Sequence, residues 1–102
     1  MAIAQVTIVP IGTGSTSLSG YVAELQRVLE RAGGPVRYEL TAMSTIIEGE
    51  LEDILQVVRE MHEAPFAQGA LRVSTTLTID DRRDKAASIR SKVESVERKL
   101  RG

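Results

Sequence analysis

The segment Leu71–Ile79 restricts the fold most. Leu71, Val73, Thr75, Leu77 and Ile79 alternate with Arg72, Ser74, Thr76 and Thr78. Successive side chains of a strand point to opposite faces, so this strand has one apolar face and one polar face. It belongs in a sheet covered on one side only, and the rest of the chain must supply the cover.

Ile3 to Val9 is short, β-branched and ends at Pro10, which reads as another strand. Ala4, Val6 and Ile8 share one face; Gln5, Thr7 and Val9 share the other. Val36, Tyr38 and Leu40 alternate with Arg37, Glu39 and Thr41 as a half-buried strand, and a partner runs from about Ser44 to Glu48, ended by Gly49. The short link between these two predicts a hairpin. Leu18, Val22, Leu25, Val28, Leu29 and Ala32, with Tyr21 alongside, recur at helical spacing. Ser17 or Ser19 suits the N-cap, and Gly33-Gly34-Pro35 stops the helix. Glu50, Glu52 and Asp53 open a second helix where the dipole favours negative charge. Leu51, Ile54, Leu55, Val58 and Met61 form its buried stripe, and Ala64-Pro65 closes it.

The order β-α-β-β-α-β is the ferredoxin-like pattern, an α+β fold with two helices on one face of a four-stranded antiparallel sheet. The other face stays open, with Gln5, Thr7, Ser74, Thr76 and Thr78 suited to water, a ligand or a partner. An extra C-terminal helix is expected over about residues 82–101, capped by Asp80 or Asp81 with Asp84 completing a capping box. Its Ala86, Ile89, Val93, Val96 and Leu100 follow at spacings of 3, 4, 3 and 4, a coiled-coil-like seam. Ile89, Val93, Val96 and Leu100 each forgo ~1.5–3 kcal/mol if left in water. The seam therefore folds back on its own sheet or meets another subunit.

A chain of 102 residues forms a single domain, 1–102, in which association adds useful burial. With no Cys and one His, it has no disulfide framework, no thiolate site and a poor donor set for a transition metal. It contains no apolar run of ~20 residues for a membrane span, and Met1-Ala2-Ile3-Ala4-Gln5 lacks the basic start of a signal peptide. A soluble, cytoplasmic protein is expected. The net charge of −1 draws the chain toward no polyanion, although eight Lys/Arg against five Asp/Glu follow from Asp80 onward. That bias reads as a solvated helix flank. RNA recognition on this fold uses strand aromatics; here Tyr38 is on a strand, Tyr21 on a helix and Phe66 in a loop.

Several positions suit a ligand. The loop Pro10-Ile11-Gly12-Thr13-Gly14-Ser15-Thr16-Ser17 brings glycines, main-chain N–H groups and hydroxyls to a helix N-terminus. It either grips an anion or polar ring, or is a tight capped loop; no Lys follows as in a nucleotide-binding P-loop. Glu48, before Gly49, either faces a cationic or amino-bearing ligand or ends its strand in solvent. Met43, Thr45 and Ile47 share a parity opposite to Ser44 and Glu48. His62 reads as structural, and the run Asp80–Lys85 as capping with local ion pairs. No nucleophile–base pair, carboxylate dyad or metal cluster is visible, so no catalytic residue, metal or cofactor is assigned.

These residues in this order resemble the small thiamine-binding-protein family over nearly the whole chain. The likeness rests on Pro10-Ile11-Gly12-Thr13-Gly14, on Tyr38 with Met43-Ser44-Thr45 through Glu48-Gly49, and on Met61-His62-Glu63. It continues through Arg72-Val73-Ser74-Thr75 and Ile79-Asp80-Asp81-Arg82 with Asp84-Lys85. Ser44 stands where the family pattern has Gly, which alters a neighbouring pocket. The resemblance implies a ferredoxin-like subunit assembled as a dimer of dimers (a homotetramer, with a dimer the smaller option). It also implies non-catalytic binding of thiamine or its hydroxymethylpyrimidine part. The expected ligand set is Gly12, Thr13, Gly14, Ser17, Met43, Thr45 and Glu48, with no nucleic acid or membrane partner. Two rival classes are an oligomeric regulatory or scaffold module without a dedicated small-molecule ligand, and an enzyme completed across subunits.

Overall fold

Period-two alternation along the first strand sets the architecture. The computed structural model describes residues 1–12, 19–32, 34–84 and 89–101. In chain order the elements are β1 (Ala2–Pro10), α1 (Ser19–Ala32), β2 (Val36–Leu40), β3 (Thr45–Gly49), α2 (Leu51–Ala67), β4 (Val73–Asp81) and α3 (Ile89–Arg101). The strands form one antiparallel sheet in the order β2-β3-β1-β4, the ferredoxin-like arrangement.

β1 lies inside the sheet. Its Ala2, Ala4, Val6, Ile8 and Pro10 are buried beneath the helices, while Ile3, Gln5, Thr7 and Val9 face the other way. The register carries this division across the sheet: Ala4 stands opposite Ile47 and Ile79, and Val6 opposite Thr45 and Leu77. Leu25, Val28 and Leu29 of α1 and Ile54, Val57, Val58 and Met61 of α2 close the core over that face.

α2 differs from the sequence expectation at both its stripe and its end. Val57 joins the buried stripe, and Leu55 is 45% exposed. Positions 54, 57, 58 and 61 keep the i, i+3, i+4, i+7 rhythm, whereas 55 lies a further step around the helix. Pro65 does not close the helix; it sits buried within it, and the helix runs on to Ala67. Proline's fixed φ suits a helix and costs the bond its missing N–H would donate. Only Phe66 and Ala67 follow it in the helix. Gln68 and Ala70 N–H donate to Pro65 C=O at 3.1 and 3.0 Å, and Gly69, at φ +100°, turns the chain toward β4. Phe66 is therefore helical, not in a loop.

The junction after β4 also differs. Asp80 and Asp81 are strand residues and do not cap a helix. Arg82–Asp84 follow without helical structure, so the helix expected from about residue 82 is described only for Ile89–Arg101. Ala86 of the seam lies outside the described residues. Val93, Val96 and Leu100 are 52, 58 and 81% exposed, so these seam positions do not fold back on their own sheet.

Candidate functional site

The two ladders of β1 end at different heights. Its pairing with β3 stops at Val6–Thr45, whereas its pairing with β4 continues to Pro10–Val73. From Thr7 onward β1 is thus an edge on the β3 side. Along an antiparallel edge, alternate residues present N–H and C=O groups outward, and here no strand of the sheet takes them.

The β2–β3 turn stands beside this edge. Thr41 builds the turn: its N–H and its hydroxyl donate to Ser44 C=O at 2.8 and 2.9 Å. The same hydroxyl accepts from Ser44 N–H at 3.1 Å. A threonine side chain thereby replaces main-chain turn bonding. Thr7 Oγ1 donates to Met43 C=O at 3.4 Å, which leans the turn over the end of β1.

Between this turn, the β1 edge and α1 lies a cavity of about 390 Å³. Its volume is in the range of small-molecule sites. Val6 and Ile8 of β1, Leu25 of α1 and Met61 of α2 form the apolar floor; Val22, Leu40 and Met43 stand at the mouth. Leu40, expected to be half-buried, is exposed because it faces this opening rather than a helix. Thr41, Ser44, Thr45 and Gln26 supply polar groups, and no described lining residue is charged.

Gln26 holds the least satisfied atom of the wall. Its Nε2 is buried and has no hydrogen-bond partner among the described residues. A buried amide donor left unpaired costs free energy, so native structures nearly always pair it with protein, water or ligand. The sequence expectation did not include Gln26. Its signal lay in position: Gln26 follows Val22 by four and precedes Leu29 by three, so a polar side chain sits on the apolar stripe of α1.

The expected site residues divide. Met43, 84% exposed, and buried Thr45 both line the cavity. Glu48 is three positions beyond Thr45 and points to the opposite sheet face, where it stands opposite Ile3 and Arg37 in register. The structure does not bring Glu48 together with Met43 and Thr45. Gly12 adopts φ +75°, a conformation that glycine favours, just after Ile11 N–H donates to Arg72 C=O at 2.8 Å. Thr13, Gly14 and Ser17 lie outside the described residues.

The remaining features have local partners. His62 Nδ1 and Thr75 Oγ1 are hydrogen-bonded at 2.6 Å, tying α2 to β4, and Phe66 meets the imidazole edge-on at 5.6 Å. Arg83 hydrogen-bonds Asp81 and holds its carboxyl below the usual range; Asp84 binds Arg82 through both oxygens and raises its guanidinium. A larger recess of about 850 Å³ adjoins this segment, near Met1, Glu50 and Glu52. Its wall is charged, and Met1 with Glu50 and Arg83 with Asp81 already pair there. The smaller cavity is uncharged along its described lining. Among the described residues, no group of acidic or histidine side chains is arranged to hold a metal ion, and no helix is long and apolar enough to cross a membrane.

Comparison with known proteins agrees with this architecture. A family profile described as thiamine-binding protein matches residues 4–97. The UPF0045 protein YqgV of Bacillus subtilis is 54% identical over 102 residues, covering 98% of each chain. A UPF0045 protein of Methanothermobacter thermautotrophicus is 46% identical over 101 residues, covering 98% of this chain and all of that one. Among solved structures, the hypothetical protein MJ1052 of Methanocaldococcus jannaschii superposes with a TM-score of 0.83 at 33% identity, covering 94% of this chain and 95% of that one. A proposed thiamine biosynthesis/salvage protein of Thermotoga maritima gives a TM-score of 0.74 at 24% identity, covering 93% and 97%.

Proposed function

Because the chain belongs to the thiamine-binding protein family, we propose that it binds thiamine or a related hydroxymethylpyrimidine, without catalysing a reaction, in the cavity between α1, the β1 edge and the β2–β3 turn. One observation carries the placement: a largely apolar cavity of about 390 Å³, uncharged along its described lining, with Thr41, Ser44, Thr45 and Gln26 as its polar residues. A pyrimidine ring matches it in kind, since the ring has flat apolar faces and a polar rim. Thr45 and Gln26 lie within the wall, and the thioether of Met43 offers a soft, polarizable surface at the mouth. Gly12 leads from β1 into the loop whose Thr13, Gly14 and Ser17 complete the proposed ligand set. The described lining contains no nucleophile beside a base, which favours holding a ligand over transforming it.

The protein works in this reading as a cytoplasmic homo-oligomer, a dimer of dimers, with no nucleic acid or membrane partner. Exposure of Val93, Val96 and Leu100 on one helix supports assembly. The same observation favours the second reading, an assembly module with no dedicated ligand. Titration calorimetry of the purified protein with thiamine separates the two. Micromolar or tighter binding near one site per subunit is expected. The absence of heat and of thermal stabilisation would leave the assembly reading.

A further inference from the structure

We propose that the outer edge of β4 pairs antiparallel with the same edge of a second copy, about a two-fold axis at Thr76, so that the sheets of two subunits run on as one. This rests on the homo-oligomer part of the reading above and is independent of the ligand. It adds which edge is joined, and in what register.

The two borders of the sheet differ. β2, at one border, is five residues long and carries Arg37 and Glu39. β4, at the other, is nine residues long, and neither charge nor proline interrupts it from Val73 to Ile79. Charge, proline and short length are the means by which an edge strand refuses a partner. β4 has none of them along that stretch, and no strand among the described residues takes its outer main-chain groups.

The helix cover stops short on the same side. His62 hydrogen-bonds Thr75, so its flank of α2 faces β4. Leu55 and Phe66 stand seven positions before His62 and four after it, on that same flank. They are 45 and 38% exposed, and Ile79 of β4 is 39% exposed. Arg59 shares the flank, and its long stem lets the charge reach water. An apolar shelf thus runs along an unpaired strand. A second copy presents the same shelf and the same strand, and a two-fold axis covers both at once.

Parity and charge choose the register. Facing residues of neighbouring strands share a sheet face, so the axis passes through a residue and not between two. Centred on Thr76, it sets Val73 opposite the partner's Ile79, Thr75 opposite the partner's Leu77 and Ser74 opposite the partner's Thr78. The apolar face and the hydroxyl face both continue from one subunit to the next. Just beyond, Arg72 meets the partner's Asp80, twice by symmetry. Arg72 has no ion-pair partner among the described residues. Asp80 already holds Lys92, and a carboxylate can accept from both cations. An axis at Leu77 would instead set Arg72 against the partner's Arg82 and Asp81 against the partner's Val73. Like charges directly opposite are destabilising. An axis at Thr75 pairs fewer residues and leaves Arg72 facing the partner's Thr78.

The chain contains no Cys, so an introduced thiol reports only its own neighbour. Ser74, Thr76 and Thr78 are exposed, and Cys at each leaves the core untouched. Under mild oxidation Thr76→Cys should give a disulfide-linked dimer on a denaturing gel, because facing Cα atoms stand about 5 Å apart. Ser74→Cys alone should not link, since its two copies stand about 14 Å apart along the strands. Co-expressed with Thr78→Cys, it should link. Adding Leu55→Glu to Thr76→Cys should weaken the link and lower the sedimentation coefficient without changing the far-ultraviolet spectrum. A Thr76→Cys protein that sediments as an oligomer yet stays unlinked overturns the inference and leaves the homo-oligomer reading standing. Linking by Ser74→Cys alone does the same, because it marks another register. A link that Leu55→Glu leaves undiminished overturns the part given to α2. A wild type that sediments as a monomer overturns both the inference and the homo-oligomer reading.

Discussion

α2 carries Ile54, Val57, Val58 and Met61 on one face, and α3 carries Val93, Val96 and Leu100 at comparable helical spacing. The first set is buried, while the second is exposed, Leu100 by 81%. α1 and α2 cover the middle of the apolar face over β1 and β3, and α3 does not extend that cover to the edges, where Ile79 of β4 stays 39% exposed. A helical stripe therefore says that a helix needs cover; the connectivity decides whether the subunit has any left. The two helices also differ in attachment. α2 is held by its core side chains and by the His62–Thr75 hydrogen bond to β4. α3 is tied near its start by an ion pair between Lys92 and Asp80, with both partners in solvent. Exposed pairs of this kind contribute little.

The sharpest way to break the comparison is to truncate one residue of the buried stripe. Ile54 is fully buried, and Ile54→Ala should cost about 2–5 kcal/mol in urea unfolding through lost burial and the cavity left behind. A loss below about 1 kcal/mol would place α2 on the same footing as α3. The matching change on the exposed stripe, Val93→Glu with Val96→Glu, should leave the far-ultraviolet spectrum and thiamine titration intact while lowering the sedimentation coefficient, since two charges oppose burial in an interface. A sedimentation coefficient identical to that of the wild type would remove α3 from the proposed assembly.

The smallest effect belongs to the segment that joins β4 to α3. Asp81 has a lowered carboxyl because Arg83 hydrogen-bonds it. A folded-state value below the unfolded one adds stability above the unfolded value, and this is lost as pH falls through the folded one. Arg83→Ala should therefore lower stability slightly at neutral pH, where the small contribution of this exposed pair is fully present, and leave it unchanged in acid below the folded value. A large loss at neutral pH would mean that this exposed pair anchors α3.

Most of the fold was legible because it depends on local periodicity. Alternation in β1 and β4 and the stripe of α1 identified the elements, and their order implied the sheet. The misreadings fall where one residue carries two meanings. Pro65 signals an end, yet a last helical turn tolerates it. Asp80 and Asp81 suit a cap, yet they complete the β4 ladder opposite Ile3 and Ala2. Leu55 is as apolar as Val57, and only the packing angle of α2 separates them.

The lining of the candidate cavity was partly legible. Met43 and Thr45 line the cavity, and Glu48 lies across the sheet from them. Parity along β3 already separates Thr45 from Glu48, but one strand cannot say which face holds a ligand. Gln26 escaped notice because glutamine is ordinary on a helix. Its distinction is a buried nitrogen without a partner, and that arises only when α1 packs over the β1 edge.

By itself, then, the sequence determined the elements, their order and the face of the sheet that is covered, because each follows from side-chain spacing along a few residues. The tertiary structure alone decided where the β1–β3 ladder stops, and so where a cavity opens. It also decided that Gln26 joins that cavity's wall and that Val93, Val96 and Leu100 of α3 stay exposed. These depend on how distant segments meet, and an unpaired donor or an exposed stripe exists only relative to the neighbours that fail to satisfy it.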